Sequence, residues 1–146
     1  MTKTKLIVNL TRGGAVCLGD LARLQPLRVL VVSPDHHFRT VMSLLLARRN
    51  CSVTTTANAS RVAEPIARAS ADVVVIDVSQ LATAVAAATV AAIEALARPV
   101  GVVLVADDAG YALPDPPVLA RWGPFGDLVD AIKRADEGRA DVGRQR

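Results

Sequence analysis

Three short, uninterrupted aliphatic runs leave this chain few folds to choose from: Arg28-Val29-Leu30-Val31-Val32, Val73-Val74-Val75-Ile76 between Asp72 and Asp77, and residues 100–105. Their side chains are largely β-branched, and no polar residue alternates with the apolar ones, so each strand must be covered on both faces. Strands of that kind belong to a parallel sheet held between helical layers. The first run is followed by Ser33-Pro34-Asp35 and the second ends in Asp77. Polar groups at the carboxyl ends of parallel strands collect along one edge, where open α/β sheets place their sites. Asp77 is therefore the first candidate for chemistry.

The segments between the runs supply the rest of a doubly wound domain. Phe38, Val41, Met42, Leu44, Leu45 and Leu46 fall at helical spacing behind a cap at Ser33 or Asp35, and this helix ends near Arg48-Arg49-Asn50. Residues 52–56 read as a more polar, outer strand, and residues 60–70 as a short helix in which Pro65 lies within the first turn or introduces a kink. A long Ala-rich helix is expected over 81–97, and a fifth strand over 118–122. The last helix is expected over 127–135. Between Asp107 and Pro117, one Gly and three Pro exclude an ordinary interior helix. Alternating strands and helices require right-handed crossovers. The expected fold is α/β: a flavodoxin-like, five-stranded parallel sheet with a degenerate fourth helix.

Three divisions follow: an extension over 1–26, a domain over 27–135, and a flexible tail or linker over 136–146. In the extension, residues 5–10 and 15–18 have strand character and flank Thr11-Arg12-Gly13-Gly14, a hairpin turn. Lys3, Lys5, Arg12, Arg23 and Arg28 against Asp20 make residues 1–28 basic, within a net charge of +3 for the chain. There is no aromatic residue and no Lys/Arg run there, so nucleic acid is not the expected partner. No segment reaches the roughly 20 apolar residues of a membrane span, and no secretory leader is apparent, so a cytoplasmic protein is expected. Cys17 and Cys51 stand apart, without metal-ligand or disulfide spacing, and read as inert thiols.

With these runs in place, residues 27–135 resemble the receiver domain of bacterial two-component response regulators. The resemblance rests on residues 28–32 as the first strand, Asp77 closing the third, and Gly123-Pro124-Phe125 where such domains have Lys-Pro-Phe. It implies a phosphoacceptor at Asp77, an acidic pair holding Mg²⁺ after the first strand, a Thr or Ser after the fourth, and a lysine that pairs with the phosphoryl group. Here Ser33 and Pro34 stand at the acidic pair, Val105 at the hydroxyl, and Gly123 at the lysine. Phosphoryl transfer depends on charge stabilisation, and those stabilising groups are replaced together. Asp77 then reads as a vestigial acceptor in a degenerate pseudo-receiver. No cofactor is expected; Asp35 and Asp77 are weak metal candidates, because Mg²⁺ needs several hard oxygen ligands.

Other polar residues have plainer readings. His36 and His37 read as exposed loop or first-turn residues, Asp107-Asp108 as turn caps with a cation among the edge acids as the alternative, and Trp122 as a packing anchor or an interface contact. The expected function is a non-enzymatic, phosphorylation-independent, receiver-like regulatory or interaction module in bacterial signalling or protein localisation. It docks a protein partner or itself, with a homodimer through residues 5–18. Two alternatives stand beside it: a phosphorylatable response regulator using Asp77, and a flavodoxin-like domain that binds a small ligand.

Overall fold

A computed structural model of the chain describes residues 25–107 and 118–145. The hairpin expected over 5–18, Cys17, Asp108 and most of the stretch expected to lack a fourth helix lie outside the described residues. The elements run β1 (Leu27–Val32), α1 (His36–Ala47), β2 (Cys51–Thr56), a 3₁₀ turn (Ala59–Arg61), α2 (Ala63–Ala69), β3 (Val73–Asp77), α3 (Thr83–Glu94), β4 (Gly101–Ala106), β5 (Val118–Ala120) and α4 (Phe125–Gln145). The five strands form one sheet in the order β2-β1-β3-β4-β5, every adjacent pair parallel. This is the doubly wound, flavodoxin-like order.

The aliphatic runs occupy the centre of the sheet because they serve two cores at once. Leu30, Val74, Ile76 and Leu104 point to one face, packing with Val62 and Ile66 beside α2 and with Val90 and Ile93 of α3. Their neighbours Val29, Val31, Val73, Val75, Val103 and Val105 point to the other, against Phe38, Met42 and Leu46 of α1 and Leu128 and Ile132 of α4. Burying each large apolar side chain contributes about 1.5–3 kcal/mol relative to leaving it in water. At the amino edge of the sheet Gly101 allows α4 to press close: a Cβ there would lie 2.6 Å from the carbonyl oxygen of Ala135.

Local signals set several boundaries as expected. Asp35 is the N-cap of α1, its Oδ1 accepting from the backbone N–H of His37 at 2.9 Å and Phe38 at 3.3 Å. Pro65 is the third residue of α2, where a missing N–H costs no helical bond. Two expectations need correction. The fifth strand ends at Ala120, so Arg121 and Trp122 belong to the turn that follows it. The flexible end expected over 136–146 is helical as far as Gln145. No proline interrupts that stretch, and Arg139 pairs with Asp136 one turn back along it.

Candidate functional site

Parallel register brings the polar ends of β1, β3 and β4 together. Val32 pairs with Ile76, and Asp77 with Val105, so Ser33 and Asp77 emerge side by side at the carboxyl edge. Both are buried, and the carboxylate of Asp77 is wholly inaccessible. Its Oδ2 accepts from the hydroxyl of Ser33 at 2.6 Å and from Nη1 of Arg121 at 2.8 Å. Its Oδ1 accepts from the backbone N–H of Ser79 at 3.0 Å and from that residue's hydroxyl at 2.6 Å. A carboxylate offers about four lone-pair sites, and all of them are in use.

Arg121 is the centre of the arrangement. The turn after β5 begins with its backbone N–H donating to the carbonyl of Ala106 at 2.7 Å, which aims the side chain back over the sheet edge. Nη1 lies 2.8 Å from Asp77 Oδ2 and 3.2 Å from Asp35 Oδ2, and Nη2 lies 2.6 Å from Asp107 Oδ1. The guanidinium carbon sits 5.5 Å from the ring centre of Phe38 and 5.8 Å from that of Trp122, within cation–π range. The side chain is only 13% exposed. A planar, permanently charged fork suits such a site better than a lysine point charge would.

The charges are balanced unevenly. Asp35 also accepts from the first amides of α1, and Asp107 is more than half exposed to water. Asp77 has no solvent. Burial alone would raise its pKa, but the bonds from Ser33, Ser79 and Arg121 outweigh that and hold the carboxyl below the ordinary aspartate range. Burial would lower the pKa of Arg121, and Asp77, Asp107 and Asp35 reverse that and raise it. The hydroxyl of Ser33 accepts from the N–H of Asp35 at 3.0 Å, and that of Ser79 from the N–H of Asp107 at 2.9 Å. Each serine thus ties Asp77 to the loop carrying another acid.

Of the residues singled out from the sequence, Ser33, Asp35, Asp77 and Asp107 meet here. Pro34 precedes the cap of α1. Val105 lies beside Asp77 in register, but its side chain belongs to the core with Phe38 and Leu128. Gly123 is in the turn after Trp122, its N–H donating to the carbonyl of Ala120 at 3.1 Å. The cation at this edge is Arg121, two residues before Gly123. His37 lies against Trp122, ring centres 5.6 Å apart, and His36 beside Arg39. Trp122 is half exposed while meeting Phe38 edge-on, so it is a packing residue with a free face. At Cys51 burial pushes the thiol upward, with Lys133 partly opposing it.

Sequence reasoning missed Arg121 and Ser79. The signal for Ser79 was Asp77-Val78-Ser79, the spacing at which an aspartate bonds a backbone N–H two residues on. For Arg121 it was a basic residue just ahead of Gly-Pro-Phe. The divalent ion that the receiver resemblance implies does not fit the residues as they stand. Asp35, Asp77 and Asp107 are engaged by a guanidinium, which supplies no oxygen ligand and places a positive charge where the ion would sit.

No protein-family model and no curated protein matches the sequence. Solved structures do match. A sensor protein from Polaromonas sp. JS666 superimposes with a TM-score of 0.66 at 17% identity, over 77% of this chain and 98% of that one. A CheY-like response-regulator receiver domain from Methylobacillus flagellatus gives 0.64 at 14%, over 76% and 99%. A response-regulator receiver domain protein from Clostridium thermocellum gives 0.63 at 18%, over 80% and 98%. The chain has the receiver-domain fold.

Proposed function

We propose that this chain is a phosphorylation-independent, receiver-like regulatory module that works by docking a protein partner or a second copy of itself. The observation that carries the reading is the saturated carboxylate of Asp77: buried, hydrogen-bonded at every lone pair and ion-paired with Arg121. An acceptor carboxylate must present a free oxygen to the incoming phosphorus, and the developing charge needs groups waiting for it. Here those groups are bound to the acceptor itself. Val105 brings no hydroxyl, and Ser33-Pro34 brings no acidic pair.

Incubation with acetyl phosphate and Mg²⁺ tests this reading, and the intact mass should not change. Gain of one phosphoryl group, abolished by Asp77→Asn, would establish the second reading: a phosphorylatable regulator in which Arg121 does the work of the family's lysine. That alternative draws support from one contact, the 2.8 Å approach of Arg121 to Asp77. The small-ligand reading has no comparable contact behind it: among the described residues, the acids of the carboxyl edge are already engaged by Arg121. Self-association through residues 5–18 belongs to the same proposal, since strand-forming residues must find a pairing partner. Light scattering of the full chain against a form lacking residues 1–24 reports on it. Equal oligomeric mass in both would place the interface elsewhere.

A further inference from the structure

We infer that Arg121 is the resident cation of this site, standing in place of a divalent metal, and that its removal turns Asp35, Asp77 and Asp107 into a Mg²⁺ site. The inference deepens the functional reading, since it rests on the same carboxylate cluster, but it concerns metal rather than phosphoryl transfer. The three acids come from loops and strand ends 30 or more residues apart in sequence, and only the sheet register unites them. What they converge on is one guanidinium, with contacts of 2.6, 2.8 and 3.2 Å. A Mg²⁺ ion ligated by Asp35 and Asp77 would have to share the space of Nη1, and like charges at that separation repel strongly.

Arg121 cannot step aside at little cost. Its backbone is tied to Ala106, and its guanidinium packs over Phe38 and Trp122. Leaving would also strand the buried charge of Asp77. The cluster nevertheless holds three carboxylates to one cation, with Asp35 and Asp107 open to water at its rim. That is a fitting cage for Mg²⁺, which binds through one or two carboxylates and keeps several of its waters. The metal is excluded by occupancy, not by a lack of acids.

Trp122, the chain's only tryptophan, adjoins Arg121 and reports the test by its emission. Mg²⁺ is titrated into the wild-type chain, Arg121→Gln, Arg121→Ala and Arg121→Lys, with thermal melts in parallel, because a ligand that binds only the folded state raises the midpoint. The wild type and Arg121→Lys should show no saturable response through the millimolar range. Arg121→Gln and Arg121→Ala should saturate with an affinity about tenfold or more above any wild-type response, and adding Asp77→Asn should abolish it. A variant that folds only with Mg²⁺ supports the inference equally. Wild-type binding as tight as that of Arg121→Gln overturns it, as do charge-removed variants that neither bind nor gain stability in Mg²⁺. Phosphoryl uptake by the wild type would defeat the functional reading and leave this one to the titration; Mg²⁺ binding at Asp77 without uptake would defeat this one alone.

Discussion

The two ends of β3 each carry an aspartate, and the protein treats them differently. At the amino end Asp72 accepts from the backbone N–H of Arg28 at 3.0 Å, while the guanidinium groups of Arg28 and Arg98 stay at 3.7 and 3.8 Å, both about half exposed. At the carboxyl end Asp77 is sealed, with partners at 2.6 to 3.0 Å and an arginine whose side chain is only 13% exposed. Residue type is the same, with Asp72 just ahead of β3 and Asp77 closing it; the exposure and freedom of the partners differ. At one end a largely buried carboxylate meets half-exposed arginines at long range, and at the other a sealed carboxylate sits in an internal ion cluster. The carboxyl edge can hold such a cluster because the loops leaving β1, β3 and β4 bring three acids to one place there. Single-partner deletions should therefore have unequal effects at the two ends.

The largest effect is expected from Arg121→Ala. Removing one partner of a buried pair leaves an uncompensated charge, at a cost of about 3–5 kcal/mol, read from the urea midpoint. A loss no larger than that of a surface arginine would erase the contrast. Next comes Asp77→Asn, which keeps the shape and removes the charge, at about 1.5–3 kcal/mol near neutral pH. Since the folded state holds the Asp77 carboxyl below its ordinary range, its stabilisation is complete above that range and lost as pH falls through the lowered value. The gap between wild type and Asp77→Asn should thus start to narrow as pH falls below about 4 and close only at the lowered value. Parallel stability curves down to low pH would assign the effect to packing instead. The smallest effect is expected at the other end: Arg98→Ala should cost less than about 1 kcal/mol and respond to salt. A cost matching Arg121→Ala would mean that the two ends are not distinct in kind.

How far the fold was legible depended on how local its cause was. The central strands could be read directly, because β-branched runs without polar alternation have one economical placement, between two helical layers. The cap of α1 was equally local: Asp35 serves the amides two and three residues on. Two glycines, many charges and few apolar residues point to a flexible end over 136–146, whereas the spacing of Asp136 and Arg139 supports the helix that runs to Gln145. Gly101 gave no sign of its role, since the close approach of Ala135 is a matter of how α4 lies across the sheet.

For the site, the sequence by itself determined that Asp77 closes a buried central strand; the positions of Ser33, Val105 and Gly123 in a receiver pattern were an expectation drawn from the resemblance. Only the tertiary structure decided what holds that carboxylate. Arg121 read as part of a strand, and its role depends on β5 stopping at Ala120, on the turn that follows, and on a sheet register that brings residues 35, 77 and 107 within reach of one guanidinium. Strand identity is written in neighbouring residues because it follows from local backbone preference and burial. An ion cluster is not, because Coulomb attraction between residues 44 apart acts only after the chain has folded to bring them together.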